Sequence, residues 1–125
     1  MAGRVLTRRW NDPAIAGEDT RILVTRYRPR GVRKQAETWD EWHAELGPST
    51  ALHADAYGKK GPPIELAAYV RRYREEMSAP RPAFFLAGLR ARVRGGEDVV
   101  LLCSSACVDP AACHRTLLRE LVLAD

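Results

Sequence analysis

Residues 98–103 read Asp98-Val99-Val100-Leu101-Leu102-Cys103, an apolar run in which polar residues do not alternate. Such a run is typical of a strand that is covered on both faces, as in a parallel sheet. Asp109-Pro110 then indicates the start of a helix, because a carboxylate caps the first turn and proline is favoured at the first helical position. We therefore predict a strand at 98–103, a loop, and a helix at about 110–123.

The segments before this unit favour the same layering of strands and helices. Ile22, Leu23 and Val24 form the centre of a second strand candidate. Thr38-Trp39-Asp40-Glu41 has the capping-box pattern of a helix start, and Trp39 and Trp42 on that helix are expected to pack in the core. The predicted strands cover residues 4–9 and 20–27, and the predicted helices cover residues 38–46, 64–77 and 83–94, with a short helical turn capped by Ser49.

The apolar residues of the helix at 64–77 recur at steps of three and four, which predicts one buried stripe. The stripe consists of Ile64, Ala67, Val70, Tyr73 and Met77. A helix precedes the strand at 98–103 and another follows it, an order typical of α/β proteins with parallel strands. We therefore expect a single domain over residues 1–125 of the α/β class: a small Rossmann-like layered domain with a mostly parallel central sheet flanked by helices.

Composition excludes several classes of protein. The chain has 125 residues, of which 46% are hydrophobic and 29% are charged, so one ordinary globular core is expected and disorder is not. Its longest apolar run, Val99 to Cys103, is far below the roughly 20 residues of a membrane-spanning helix. The three cysteines are an odd number and lie close together, which argues against a secreted disulfide framework. We expect a cytoplasmic protein with reduced thiols and no membrane association, either a monomer or a homodimer.

Positive charge is concentrated near the start of the chain. Residues 1–34 carry a net charge of +6 and the remainder carries −2. The segment from Arg21 to Lys34 holds six basic residues and no acidic one. Such a segment favours anionic partners such as phosphates, although a solvated basic edge gives the same pattern.

Reactive side chains are concentrated at the predicted junction between the strand at 98–103 and the last helix. Ligands in parallel α/β folds bind beyond the carboxyl ends of the strands, where this junction lies. If Asp109 caps the helix, Cys113 falls in its first turn or at the edge of that turn, where the helix dipole and Arg115 favour the thiolate. The sequence therefore predicts a lowered pKa for Cys113.

Two chemical interpretations of the junction use its cysteines. Cys113 as a nucleophile with His114 as its base would give a cysteine-dependent enzyme, but consecutive helical residues point about 100° apart and do not face each other. A metal site would use the soft and borderline ligands Cys103, Cys107, Cys113 and His114. Their spacing, C-x3-C-x5-C-H, departs from that of zinc ribbons, so a metal is the weaker hypothesis.

A third interpretation is an anion site. Backbone N–H groups of the last helix, the hydroxyl of Ser104 or Ser105 and the Arg115 guanidinium could together receive a phosphate or a carboxylate. This interpretation also fits the basic loop at 26–34, provided that both loops leave the same edge of the sheet. It is therefore our leading hypothesis.

Several stretches of the sequence resemble one family over about residues 5–121. They are Arg21-Ile22-Leu23-Val24, Pro29-Arg30-Gly31, Trp42, Glu45-Leu46, Pro48-Ser49, Arg72-Tyr73, Glu76-Met77, Val100-Leu101-Leu102-Cys103 and Cys113-His114-Arg115. In order and spacing they resemble the DUF 488 family, a domain of unknown function, and especially its short single-domain branch of bacterial and archaeal proteins. The resemblance implies a small Rossmann-like α/β fold and no established activity.

The resemblance also implies two recurring polar features, the Arg-rich loop at 26–31 and the triplet Cys113-His114-Arg115. The chain departs from the branch at Tyr27-Arg28, where a Leu-Trp pair is common, and at Cys107, which is an additional thiol. The first departure would alter a stacking surface for a ligand. The second adds a little weight to a metal or redox role.

These observations lead to one functional expectation and three alternatives. We expect a small anionic ligand, nucleotide-like or phosphorylated, to bind between the loop at 26–31 and the junction at 104–115. The charge-neutralising residues would be Arg26, Arg28 and Arg30, with Ser104 and Arg115 as further ligand-binding residues and Cys113 and His114 as the groups available for any chemistry. The alternatives are a cysteine-dependent enzyme for group transfer or redox chemistry, a nucleic-acid-binding accessory protein, and a metal-binding protein. Whether the protein is an enzyme, and with which cofactor, stays open.

Overall fold

A computed structural model of the chain describes residues 2–14, 20–105 and 113–124. Four strands form one parallel sheet in the order β1-β4-β2-β3. The strands are β1 (Val5–Arg9), β2 (Thr20–Leu23), β3 (Glu41–Trp42) and β4 (Val99–Cys103), the α-helices are α1 (Thr50–Ala56), α2 (Leu66–Met77), α3 (Pro80–Arg94) and α4 (His114–Leu123), and single 3-10 turns lie at Lys34–Ala36 and Ala44–Leu46. The predicted α/β class is confirmed.

Strand β4 is the central strand, as its apolar run predicts. All five of its residues are buried, and it pairs with β1 on one side and with β2 on the other. Val99 lies opposite Val5 of β1 and Thr20 of β2, so the three strands begin at the same level of the sheet. The strand predicted at 20–27 is real but shorter, because the chain leaves the sheet after Leu23.

The two faces of the sheet are covered differently. Val99 and Leu101 belong to a core to which all four α-helices contribute side chains. On the other face, Val100 and Leu102 pack with Trp10 and Trp39, whose rings meet edge to face at 6.2 Å. The described helices therefore share one face, and loop aromatics cover the opposite face.

Helices α1 to α3 lie close to where the sequence predicts helices. The Ser49 hydroxyl accepts a hydrogen bond from the backbone N–H of Leu52 at 3.1 Å, which confirms the predicted cap of α1. The buried residues of α2 are Tyr69, Tyr73 and Met77, four residues apart, and Ala67 of the predicted stripe is exposed. Helix α3 begins three residues earlier than predicted, at Pro80, and ends as predicted at Arg94.

The helix predicted at 38–46 is wrong: the segment contains β3 and a single 3-10 turn. The side chains of Thr38 and Glu41, which would cap the predicted helix, bind residues that are distant in sequence. Thr38 donates its hydroxyl hydrogen bond to the carbonyl of Trp10, and the Glu41 carboxylate binds Arg92. The Asp40 carboxylate accepts from the backbone N–H of Arg21 at 2.8 Å, which pulls the segment alongside β2. Trp39 is partly buried against the smaller core, whereas Trp42, also expected in the core, is 43% exposed.

Helix α4 begins later than predicted. Its first residue is His114 and its N-cap is Cys113, whose side chain makes no capping hydrogen bond. The expected cap at Asp109-Pro110 lies outside the described residues. The Arg119 Nε of α4 donates to the carbonyl oxygen of Val5 at 2.8 Å and so ties this helix to the first strand. In the described part of the chain, no helix combines the length and the apolar character that crossing a membrane requires.

Gly47 lies where two backbone segments touch. A Cβ at this position would stand 2.4 Å from the backbone nitrogen of Arg26 and 2.8 Å from the carbonyl carbon of Thr25. Backbone atoms cannot rotate away as a side chain can. The loop after β2 and the turn before α1 therefore approach this closely only because residue 47 has no side chain.

We predict that Gly47→Ala lowers the free energy of unfolding by about 1–3 kcal/mol, because the extra methyl forces a backbone shift. The matched control is Gly88→Ala on the exposed side of α3, where an added Cβ meets nothing within 4 Å. That control should raise stability by about 0.5–1 kcal/mol, since alanine is the better helix former. Urea unfolding of both variants measures the difference, and equal stabilities would contradict the close approach.

A cluster of charged groups joins β3, α3 and the turn before β4. The Arg92 guanidinium binds both carboxylate oxygens of Glu41 at 2.8 Å and reaches Glu97 at 2.6 Å. His43 Nε2 lies 2.8 Å from the Glu41 carboxylate, and Thr20 donates to Glu97. The hydrogen bonds from Arg92, followed by that from His43, lower the pKa of Glu41 to about 2 against the opposing effect of burial.

The depressed pKa of Glu41 gives a pH dependence with a defined sign. Because the folded pKa lies below the unfolded one, the stabilisation is present above about pH 4.5 and is lost as the pH falls towards 2. We expect Glu41→Gln to cost about 1 kcal/mol at neutral pH, after allowance for solvent screening at this partly exposed site. The variant should also show a flatter acid limb in urea unfolding between pH 5 and pH 2. Glu75→Gln, at an exposed position of α2, serves as control and should leave the acid limb unchanged.

Candidate functional site

A cavity of about 640 Å³ opens at the carboxyl ends of β2 and β4. The loop after β2 supplies the wall from Thr25 to Arg30, and the end of β4 supplies Cys103, Ser104 and Ser105. Cys113 and His114 at the start of α4 complete this side of the wall. The cavity therefore lies where ligands bind in parallel α/β folds. It brings together the two regions that the sequence analysis singled out.

The three loop arginines on the cavity differ in how they are held. Arg26 donates to the backbone carbonyls of Pro48 and Gly47 at 2.9 and 3.2 Å. Arg28 forms an ion pair with Glu37 at 2.7 Å. Arg30 is exposed, and no hydrogen bond or ion pair joins its guanidinium to another of the residues that the structure describes. Arg30 is therefore the loop cation that is available to a ligand without first losing a partner.

The charge of the lining is one-sided. Among the described residues that line the cavity, three are arginines, two are histidines and none is Asp or Glu. The rest of the wall consists of apolar and aromatic residues and of the hydroxyl-bearing Thr25, Ser104 and Ser105. The aromatic part consists of Trp10, Tyr27, Tyr57 and Tyr69. The cavity combines positive charge with flat ring surfaces.

The aromatic wall was not predicted from the sequence. Trp10 follows β1 directly, so the rule that strand ends face the site could have identified it. His53 and Tyr57 are four residues apart on α1, and their ring centroids lie 4.5 Å apart. Tyr27 meets His53 edge to face at 5.4 Å, so the three rings form one surface. His53 is partly buried, and its pKa is lowered by burial and by the charge of Lys59.

The two cysteines of the junction are in contact. The Sγ atoms of Cys103 and Cys113 lie 2.9 Å apart, and both residues are buried. Cys103 is a free thiol, and burial raises its pKa to about 11 despite the opposing effects of Ser104 and Arg115. Cys113 is disulfide-bonded. The expectation of reduced thiols therefore fails at Cys113, and the predicted thiolate there is not present in this state of the protein. Cys107 lies outside the described residues.

His114 is buried and held by a backbone carbonyl. Its Nε2 lies 2.7 Å from the carbonyl oxygen of Val24, which can only accept a hydrogen bond, so Nε2 carries the proton. Burial lowers the pKa of His114 to about 4, and the nearby Arg115 charge acts in the same direction. The imidazole is neutral at physiological pH, and Nδ1 is its basic nitrogen.

Arg115 does not line the cavity but is buried beside it. Its side chain is 5% exposed, and its charge acts on Cys103, His114 and Asp12. Within residues 2–14, 20–105 and 113–124, no atom accepts a hydrogen bond from its Nε or Nη1. A buried guanidinium that has two donor atoms without an acceptor lowers the stability of the fold. The predicted contact between Arg115 and the ligand of the cavity stays a prediction.

Much of the basic segment at 21–34 serves the fold. Arg21 is 7% exposed and donates to the carbonyls of Thr38 and Asp12. Arg26 and Arg28 are engaged as described above. The segment is therefore not a continuous row of unpaired cations, which weakens the alternative of a nucleic-acid-binding surface.

The parallel layers, the cavity at the strand ends and the Cys113-His114-Arg115 triplet beside it define a small α/β layered domain of the DUF 488 type. The chain belongs to the Active DUF488-N3 subclade, whose pattern it matches over residues 5–125, so the resemblance found in the sequence is confirmed. It is also similar to the uncharacterized protein YeaO of Escherichia coli (strain K12), with 36% identity over 67 residues. That match covers 54% of this chain and 56% of YeaO, so it spans little more than half of either protein. No solved structure gives a significant match.

Proposed function

We propose that the cavity binds a small anionic ligand, nucleotide-like or phosphorylated. The observation that supports this proposal is the one-sided lining: the described residues of the wall include three arginines and no Asp or Glu. In a recess of low dielectric, such an excess of positive charge attracts anions more strongly than it would at an open surface. An uncharged ligand would gain nothing from this charge.

The loop arginines have different roles in the proposal. Arg30 contacts the anion directly, because no other described residue holds its guanidinium and because phosphate suits its forked geometry. Arg26 contributes charge while the carbonyls of Gly47 and Pro48 hold it in place. Arg28 contributes less, because Glu37 offsets its charge. A single arginine therefore dominates the expected effect on affinity.

Further donors face the same space from the other side. Ser104 and Ser105 supply hydroxyl groups at the end of β4. The first turn of α4 supplies backbone N–H groups, and the Cys113 side chain does not cap them. The donors at this junction and the Arg30 guanidinium would donate hydrogen bonds to a phosphate from opposite sides of the cavity.

The ring surface suggests what accompanies the phosphate. Tyr27, His53 and Tyr57 form connected rings on the wall, and Tyr27 is 50% exposed. Aromatic side chains of this kind stack on planar bases. We therefore favour a nucleotide over a simple sugar phosphate as the ligand.

The test is the binding of adenosine monophosphate, measured by isothermal titration calorimetry. Arg30→Ala should weaken the affinity about 10–150-fold, corresponding to about 1.5–3 kcal/mol for a charge-assisted hydrogen bond. Arg33→Ala is the matched control, since it removes the same charge from an exposed position of the same loop that does not line the cavity. It should change the affinity less than about threefold, because a screened surface charge contributes little.

The affinities for adenosine and for inorganic phosphate measure the contributions of the two parts of the proposed ligand separately. Adenosine should bind much more weakly than the nucleotide if the phosphate contact dominates. Equal affinities of the wild-type and Arg30→Ala proteins for adenosine monophosphate would refute the role of the loop. Binding of phosphate and nucleotide with equal strength would remove the stacking surface from the proposal but keep the anion site.

A further inference from the structure

Three potential metal ligands meet on the wall of the cavity. The Sγ atoms of Cys103 and Cys113 and one ring nitrogen of His114 all lie within 4.8 Å of one another, and all three residues are buried. They come from two elements, the end of β4 and the start of α4, whose relative position the core fixes. Each of the three residues also lines the cavity.

The separations are close to those that a tetrahedral ion requires. With Zn–S bonds of about 2.3 Å and Zn–N bonds of about 2.0–2.1 Å, ligand atoms around zinc stand about 3.4–3.8 Å apart. The two sulfur atoms are at 2.9 Å and would have to separate by about 1 Å, a shift within reach of a side-chain rotation. The ring nitrogen of His114 lies within 4.8 Å of both sulfur atoms and would have to stand about 3.4–3.8 Å from each around the ion.

The hydrogen bond of His114 leaves one of its ring nitrogens with a lone pair for a metal ion. Its Nε2 donates to the backbone carbonyl of Val24, so the lone pair is on Nδ1. Metal-ligating histidines commonly donate their second ring N–H to a carbonyl or carboxylate, which fixes the tautomer and the ring plane. Val24 directly follows β2 and is fully buried, so this support is rigid.

We propose that Cys103, Cys113 and His114, in the reduced protein, bind one Zn²⁺ or a similar borderline-soft divalent cation, with its fourth position open to the cavity. Three protein ligands with an open fourth position is the pattern of catalytic zinc sites, whereas structural sites use four. Two thiolates balance the charge of the ion, so the loaded site adds no net positive charge beside Arg115. This site does not depend on the proposed nucleotide, and either could exist without the other.

Binding requires that Cys113 be released from its disulfide. A phosphine reductant breaks the S–S bond by donating two electrons; the two sulfurs take up two protons, and the phosphorus takes up the oxygen of one water molecule. Binding of the ion then displaces the thiol protons of Cys103 and Cys113 into solvent. The oxidised protein, which lacks one of the two thiolates, should bind the ion far more weakly.

The test uses Co²⁺ as a spectroscopic substitute for Zn²⁺ on the full chain, freed of metals and kept reduced with a phosphine. We expect one ion per chain, a thiolate-to-cobalt charge-transfer band with the intensity of two thiolates, and the strong visible bands of a tetrahedral ion. Zn²⁺ should displace the cobalt, and Mg²⁺ should not, because Mg²⁺ prefers oxygen ligands. Absence of the charge-transfer band in the reduced wild-type protein would overturn the proposal without any variant.

Variants then assign the ligands. Cys103→Ser and Cys113→Ser should each lose at least about 100-fold in affinity for Zn²⁺, more than is typical for loss of a supporting outer-shell contact. Cys107→Ser is the matched control, which removes the third cysteine and should keep both the affinity and the spectrum. If Cys107→Ser also loses the ion, the fourth position is a cysteine, and the open site is refuted. Circular dichroism establishes that each variant is folded before its affinity is compared.

Discussion

The burial of β4 on both faces is the constraint on which the rest of the structure depends. A strand of five apolar residues can be dry only if other elements cover each face and other strands flank each edge. Strands β1 and β2 pair with its two edges. The four helices cover one face of the sheet, and Trp10 and Trp39 cover the other. The carboxyl end of such a strand then opens into a space enclosed by the loops of its neighbours. The cavity is therefore a consequence of the central strand.

Two buried arginines near this end of the sheet illustrate the difference between a structural and a functional cation. Arg21 has carbonyl partners on Thr38 and Asp12, and its own backbone N–H binds the Asp40 carboxylate. Its burial is offset by these contacts, and its role is to hold the loops around β2. Arg115 is equally buried, but two of its donor atoms meet no acceptor within the described residues. It keeps its charge available beside Cys103 and His114, where it influences both groups.

The parts of the fold that the sequence predicted are those with local causes. The Ser49 cap and the apolar run of β4 are each determined within a few residues, and both are confirmed. The capping box at Thr38 failed because its two side chains bind Trp10 and Arg92, which are distant in sequence. The same distinction holds for the site. Because ligands bind at strand ends in parallel sheets, the sequence predicted that the loop at 26–30 and the junction after β4 share one site, and both line the cavity. His53 and Tyr57 reach the wall through the packing of α1, which no local pattern reveals.

The hydrogen bond from Arg119 to Val5 has a consequence for how the sheet meets other chains. Val99 donates to the carbonyl of Arg4, so the alternate carbonyls of β1, those of Val5 and Thr7, face away from β4. Arg119 occupies the first and Arg8 the second, at 2.8 and 3.0 Å. The opposite edge is the two-residue strand β3, too short to template another strand. Both edges are thus protected against intermolecular β-pairing, and a sheet this small resists the edge-to-edge aggregation that exposed strands invite.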